Sequence, residues 1–290
     1  MTKAFEHIGI VGAGAMGAGI AQVMLQAGLR VTLTDTCPDA LTTGRERVLE
    51  NLTQSAAKGR IETAVAQSAA DRLTTAGSLD ALKDCTLVIE AASENPDIKS
   101  AIFKTLDALC PPATLLASNT SSLSLTAIAG QTQHPGRVAG MHFFNPAPHM
   151  KLVEIIAARQ SSDETLSQLT AFAQSLGKVT VRCEDTPGFI VNRVARPYYG
   201  EALKVLQEHG NDPAWMSLID TVLREAGEFR MGPFELMDLI GLDVNLAVSE
   251  SVYNAYYQEP RYRPSLLQQR MVASRQLGRK TGQGFYTYAT

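Results

Sequence analysis

"HIGIVGAGAMGAGIAQVMLQAG", residues 7–28, decides the reading of the first half of the chain. A short β-branched run halts at glycines, and the residues after them repeat their apolar positions at helical spacing up to the capping Gly28. "RVTLTD" (30–35) is a strand again, so the segment is a βαβ unit. Gly12, Gly14 and Gly17 form G-x-G-x-x-G directly after the strand and at the opening of the helix. The first glycine permits the tight turn, the second lets a pyrophosphate approach the backbone, and the third allows close helix packing, with the helix N-terminus facing the anion. Asp35 ends the next strand, where a carboxylate accepts from both ribose hydroxyls of an adenosine and repels a 2′-phosphate. A plain glycine turn accounts for the glycines but not for the acid. The combination points to a dinucleotide, and to NAD rather than NADP.

Working outward, "CTLVIEAAS" (85–93), "ATLLASN" (113–119), "GRVAGMHFF" (136–144), "KLVEII" (151–156) and "KVTVRC" (178–183) read as strands. "PDIKSAIFKTLDAL" (96–109) and "SDETLSQLTAFAQSLG" (162–177) read as amphipathic helices between or beside them. Such alternation implies an open, largely parallel sheet covered by helices. Between the second strand and "CTLVIEAAS" lies a long excursion from Pro38 to about Asp84, with helical patterns over 39–59 and 62–73. It reads as a helical pair projecting from the sheet; the alternative is simple decoration. From Asp185 the pattern changes: 187–210, 213–227, 233–257 and 264–278 are all helical, Pro197 should kink the first of them, and the next strand expected is "GFYTY" (284–288). The fold class is therefore α/β, a Rossmann-type dinucleotide-binding domain over 1–185 with a helical excursion, followed by an all-helical C-terminal domain over 186–290. "EDTPG" (184–188) is the hinge.

With 290 residues, 45% of them hydrophobic, the chain is long enough to bury two cores. A net charge of -3 and the lack of any Lys/Arg run give no large surface for nucleic acid or an anionic membrane. No apolar run approaches a membrane span, and the N-terminus has no leader pattern. Cys37, Cys85, Cys110 and Cys183 stand far apart without metal-ligand spacing, so no metal is expected and a reducing cytoplasm fits.

In open α/β sheets ligands lie beyond the carboxyl ends of the strands. Three polar features fall there: "EAASEN" with Glu90 and Glu94, "SNTSS" with Ser118, Asn119, Ser121 and Ser122, and His142. The serines and Asn119 can equally cap the next helix, and the two acids can be solvated loop residues. His142 can take a hydroxyl proton as a hydride leaves the same carbon. Glu154, on the strand after the Asn-Pro turn, can fix the imidazole tautomer; a purely structural His–Glu pair is the competing reading. Asn192, in "PGFIVNRV", can aim its amide at a polarised oxygen or face solvent.

"GAGAMGAGIA", "VIEAASE", "ASNTSSL", "GMHFFNPAPHMKLVEII", "DTPGFIVNRV", "MGPFELMDLIGLD" and "GRKTGQGFYTY", in this order along nearly the whole chain, resemble the L-3-hydroxyacyl-CoA dehydrogenase family in its short, single-function form, including the 3-hydroxybutyryl-CoA dehydrogenases. The resemblance implies His142 as general base with Glu154 as its partner, Ser121 on the substrate and Asn192 at the reacting oxygen. For NAD it implies Gly12, Gly14, Gly17 and Asp35, Glu94 and Lys99 near the ribose and nicotinamide, Asn145 in the "FFNP" turn and Lys280 in "GRKTG". It implies that the helical pair holds the CoA portion of an acyl-CoA, with Lys58 on a phosphate and Asn51 where a CoA-contacting Ser can occur. It also implies a homodimer through the C-terminal helical domain. Ala147, His149 and Pro96 depart from the family pattern; His149 reads first as a surface-loop residue, the alternative being a polar group near the pocket. A dicarboxylate substrate would want a cation at the acyl end, for which Arg193, Arg196 and Arg230 are candidates. The rival readings are a dehydrogenase of a small free hydroxy acid and a non-catalytic NAD-binding protein; the second needs only the glycines and Asp35.

Overall fold

A computed structural model describes residues 5–288. The chain divides into two compact units between Thr186 and Pro187. The first is built on a sheet of eight strands: β1 (His7–Val11), β2 (Arg30–Thr34), β3 (Leu73–Ala76), β4 (Leu87–Glu90), β5 (Leu115–Ser118), β6 (Val138–Phe143), β7 (Leu152–Ala157) and β8 (Val179–Glu184). Their spatial order is β3-β2-β1-β4-β5-β6-β7-β8. Every neighbouring pair is parallel except β6 with β7. Strands β4, β5 and β6 are buried throughout, as near-continuous apolar strings covered on both faces should be. The chain leaves β1 toward β2 on one side and returns to β4 on the other, so the crevice between the ends of β1 and β4 is the switch point of the topology.

Helices α1 (Ala15–Gln26), α2 (Pro38–Ala57), α3 (Thr63–Arg72), α4 (Pro96–Leu109), α5 (Leu125–Ala129) and α6 (Asp163–Ser175) complete this unit. The excursion differs from its expected form. Residues Val48, Leu52 and Ala69 of α2 and α3 are buried in the same core as the sheet and α1, so the pair is packed rather than projecting. It then runs into β3, a strand not expected from the sequence. "LTTA" carries two threonines in four residues and no alternation of its own; it is a strand because Leu73 to Ala76 pair in register with Val31 to Thr34. Pro96, one of the departures noted above, stands at the first turn of α4, where its missing N–H and fixed φ suit the helix start and Asn95 caps it from Oδ1.

The second unit contains α7 (Val191–Glu208), α8 (Pro213–Glu225), α9 (Pro233–Ile240), α10 (Leu242–Ala255) and α11 (Leu266–Ala273) around Leu203, Leu206, Phe234, Met237, Leu242 and Phe285. The helical stretch 233–257 is two helices, because Gly241 sits at φ +99°, outside helical space. Helix α7 continues through Pro197. "GFYTY" is not a strand; isolated bridges join Gly278 to Gln283 and Gln283 to Thr287. Two buried carboxylates fasten the segment instead: Asp238 accepts from the Phe285 and Tyr286 amides and the Tyr288 hydroxyl, and Asp220 accepts from the Tyr286 hydroxyl. Among the described residues no helix is long and apolar enough to cross a membrane.

Candidate active site

At the end of β1 the backbone turns at Gly12, with φ +101°, so closely over β4 that a Cβ would lie 2.6 Å from the Ala91 carbonyl oxygen. A Cβ on Gly17 would meet the Gly12 carbonyl oxygen at 1.8 Å. Gly14 is different: a side chain there would meet nothing within 4 Å. It is the N-cap of α1, no side chain caps the helix, and its first turn holds no acid. The open space and uncapped N–H groups fit a pyrophosphate. Asp35 follows β2, and its two oxygens accept from the Ala13 and Cys37 amides, which fixes the carboxylate beside the glycine turn.

The end of β4 carries an ionic network that the sequence reading did not foresee. Glu90 is fully buried, not a solvated loop acid, and accepts from Lys99 Nζ and Ser118 Oγ at 2.6 Å each and from the Ala92 amide at 2.7 Å. Lys99 is 1% exposed and reaches Glu94 as well, at 3.3 Å. Glu94 in turn accepts from the Thr120 hydroxyl and from the Ser121 amide and hydroxyl. Burial alone would push the Glu94 carboxyl up, but the Lys99 charge and these hydrogen bonds outweigh it and hold the group below the usual carboxylate range. The available signal was a Lys placed at the inward phase of α4, nine positions after an acid closing an apolar strand. None of Ser118, Asn119, Ser121 and Ser122 caps α5; Ser124 does. Asn119 Oδ1 accepts from the Phe143 amide and ties the end of β5 to the end of β6.

His142 lies near the end of β6, and its register partner on antiparallel β7 is Glu154. The imidazole Nδ1 stands 2.8 Å from Glu154 Oε2, with His142 5% and Glu154 0% exposed. A carboxylate at this distance accepts from Nδ1 when the ring carries its proton there, which turns Nε2 away from Glu154. Phe144 packs against the imidazole with ring centroids 4.5 Å apart.

Beside the loop joining β6 to β7 is a cavity of about 310 Å³ lined by Asn51, Lys58 and Asn145 among others. The structure thus brings together two residues expected on CoA with one expected on the cofactor. Arg47 and Arg60, which the sequence reading had not placed there, join them, as does His149, for which a place near the pocket was the second reading. His149 is exposed, as a surface-loop residue should be, yet its Nε2 lies 3.4 Å from Arg60 Nη1 at the cavity wall. Lys178 holds this loop by donating to the Ala147 and Met150 carbonyls.

The remaining two candidates belong to the second unit. Asn192 is in the first turn of α7 and half-buried. Lys280 is committed to Asp243, at 2.6 and 2.7 Å.

Phosphate-ready backbone at a switch point and an oriented imidazole at the same end of one sheet are the working parts of a nicotinamide-dependent oxidoreductase. Residues 7–186 match the profile of the 3-hydroxyacyl-CoA dehydrogenase NAD binding domain, and residues 188–288 match the 3-hydroxyacyl-CoA dehydrogenase C-terminal domain. The chain belongs to the 3-hydroxyacyl-CoA dehydrogenase family, whose cofactor is NAD. It is 47% identical over 98% of its length to the 3-hydroxyadipyl-CoA dehydrogenase of Escherichia coli, of which it spans 59%. It is 41% identical to a Bacillus subtilis protein named "Probable 3-hydroxybutyryl-CoA dehydrogenase", with 98% of this chain and 97% of that one aligned. The crystal structure of (S)-3-hydroxybutyryl-CoA dehydrogenase from Ralstonia eutropha superposes with a TM-score of 0.91 at 41% identity, covering 99% of this chain and all of the other.

Proposed function

We propose that the protein interconverts short-chain (3S)-3-hydroxyacyl-CoA and 3-oxoacyl-CoA, with His142 as the acid–base group. The observation that carries this reading is the cross-strand pairing of His142 with Glu154 at the sheet end that also bears the glycine turn. In oxidation His142 Nε2 takes the proton of the 3-hydroxyl while the hydrogen on C3 leaves as hydride. NAD, when bound, supplies the hydride acceptor. Glu154 holds the imidazole tautomer and lies against the charge that the proton brings. Ser121 is assigned a hydrogen bond to the substrate, and Asn192 is assigned to the reacting oxygen. Asp35 binds the adenosine ribose. Lys99 acts through Glu94, because its ammonium is already engaged by two carboxylates. Asn145 is assigned to the cofactor, as is Lys280.

Arg47, Lys58 and Arg60 put three cations on one small cavity, which suits the phosphates of CoA. The short chain is favoured by the Bacillus and Ralstonia relatives, whose names specify a hydroxybutyryl group. We assign the protein to the cytoplasm, where its four free thiols are stable. We also assign it a homodimer through the second unit, where Leu218, Val222, Phe229, Leu239 and Val244 are exposed.

The test is the initial rate of NADH oxidation with acetoacetyl-CoA, free acetoacetate and 3-oxoadipyl-CoA, repeated with NADPH. Turnover with acetoacetyl-CoA and NADH, well above every other combination, is the expected result. Preference for the free acid would overturn the CoA assignment, and preference for the dicarboxylyl ester would move the substrate toward that of the Escherichia coli relative.

A further inference from the structure

The second unit has a cavity of its own, about 410 Å³, formed by α7, the segment 260–266, and residues of α10 and α11. Its lining contains Arg196, Lys204, Arg261 and Arg263 and neither Asp nor Glu. In a chain of net charge -3, four cations on one cavity without an acid is a strong local bias. Lys204 pairs with Glu201 at the rim, at 2.7 Å, whereas Arg261 and Arg263 are exposed and have no carboxylate partner among the described residues.

Arg196 is the unusual member. It is 6% exposed, and its Nε and Nη1 donate to the Asn192 and Asn245 carbonyls and to the Ser249 hydroxyl. Among the described residues no carboxylate pairs with it and Nη2 meets no acceptor. Its ring contact is Tyr199, whose centroid lies 4.9 Å from the guanidinium carbon. Burial without a counter-charge pulls Arg196 down to about 10. The polar layer behind it has the same excess of donors: Gln268, on the cavity wall, donates to Asn245 Oδ1, and Asn245 Nδ2 is buried with no partner among the described residues. A buried cation ordinarily has a paired anion, and a buried N–H an acceptor. Among the described residues no anion is paired with Arg196 and no acceptor meets Asn245 Nδ2.

We infer that this cavity is a binding site for a small organic oxyanion, a carboxylate or phosphate held by Arg196 with Arg261 and Arg263. The guanidinium fork matches either group, and Tyr262, Leu203 and Leu266 supply an apolar wall for a short carbon body. The inference does not need the catalytic reading, since none of Arg196, Arg261 and Arg263 is assigned above to hydride transfer, NAD or CoA.

The test follows the unfolding temperature of the full chain during titration with inorganic phosphate and, separately, glutarate, with sodium chloride adjusting every point to one ionic strength. The wild type should be stabilised by at least one probe in a saturable manner, and the more effective probe identifies the oxyanion. Arg261→Gln/Arg263→Gln changes only exposed side chains and should fold normally; its apparent affinity should fall by about ten-fold or more. Arg196→Lys should weaken the same probe. Anions held at the glycine turn or by the cations near α2 would stabilise the double variant as well as the wild type. That result, or the absence of saturable stabilisation beyond chloride, overturns the proposal.

Discussion

His142 and Glu154 face each other directly across the one antiparallel step in an otherwise parallel neighbour pattern, with 2.8 Å between Nδ1 and Oε2. Reversal of direction at the Asn145–Pro148 loop is what returns the acid to the same end of the sheet as the base. A parallel β7 would have needed a crossover and would have put a different residue opposite His142. Replacing His142 by Ala should lower kcat by about 100-fold or more and change KM much less, because the lost interaction is made in the transition state. Glu154→Gln keeps the shape and removes the charge, so kcat should fall with little effect on KM. Near wild-type turnover in the His142 variant, measured as NADH oxidation with acetoacetyl-CoA, would leave the pair a structural one.

The cations around the β6–β7 loop make a different kind of prediction. On the proposed reading Lys58 and Arg60 hold CoA phosphates and take no part in the chemical step, so Lys58→Ala and Arg60→Ala should each raise KM for acetoacetyl-CoA by about ten-fold while kcat and KM for NADH hold. The effect should shrink as salt is added, since both side chains are exposed. An unchanged KM in both variants removes CoA from this cavity.

Much of this arrangement was legible before any coordinates. Strand β1, the glycine turn, α1 and Asp35 follow from local rules, because each residue's task is set by its immediate neighbours. β3 was not legible: four residues with no period become a strand only through β2. The Glu90–Lys99 pair was missed for a related reason. Local pattern places charged residues on loops and solvated faces, and only the folded sheet shows that α4 turns Lys99 inward over the end of β4. His149 was read as a loop residue, and its approach to Arg60, 89 positions earlier, is a tertiary fact.

Besides Glu90 and Lys99, the first unit buries a further ion pair, Arg137 with Asp107, on which its stability should depend. Arg137 donates from Nε and Nη2 to Asp107 Oδ1 at 3.1 and 2.7 Å, and its Nη1 bonds the Thr114 carbonyl. Both side chains are 5% exposed or less. Burial would push the Asp107 carboxyl up, but the Arg137 and Gln133 hydrogen bonds and the Arg137 charge hold it below the usual range. A depressed folded value means this contribution is present above the unfolded carboxylate pKa and is lost as pH falls through the folded one. Asp107→Asn leaves the guanidinium buried without its charge partner and should cost about 3–5 kcal/mol. Denaturant unfolding at neutral and acid pH checks both points: the loss should be large at neutral pH and smaller in acid.

Asp220 and Asp238 should show the opposite sign. Burial pushes both carboxyls above the usual range, and the amide and tyrosine hydrogen bonds only partly offset it. A raised folded value means that the folded state holds the proton more tightly than the unfolded chain. That contribution is complete below the unfolded pKa and is lost as pH rises through the folded one. Local protection of the segment ending in Tyr288 should therefore weaken as pH rises above the unfolded carboxylate value toward neutral, where the Asp107 contribution is already complete. Hydrogen exchange resolves the two, read at the Phe285 and Tyr286 amides that donate to Asp238. Asp238→Ala strands both donors and should cost about 2–4 kcal/mol, with protection at these two amides lost first. If the amides stay protected in that variant, the packing of Phe285 against Phe234, with ring centroids 4.9 Å apart, is what holds the segment.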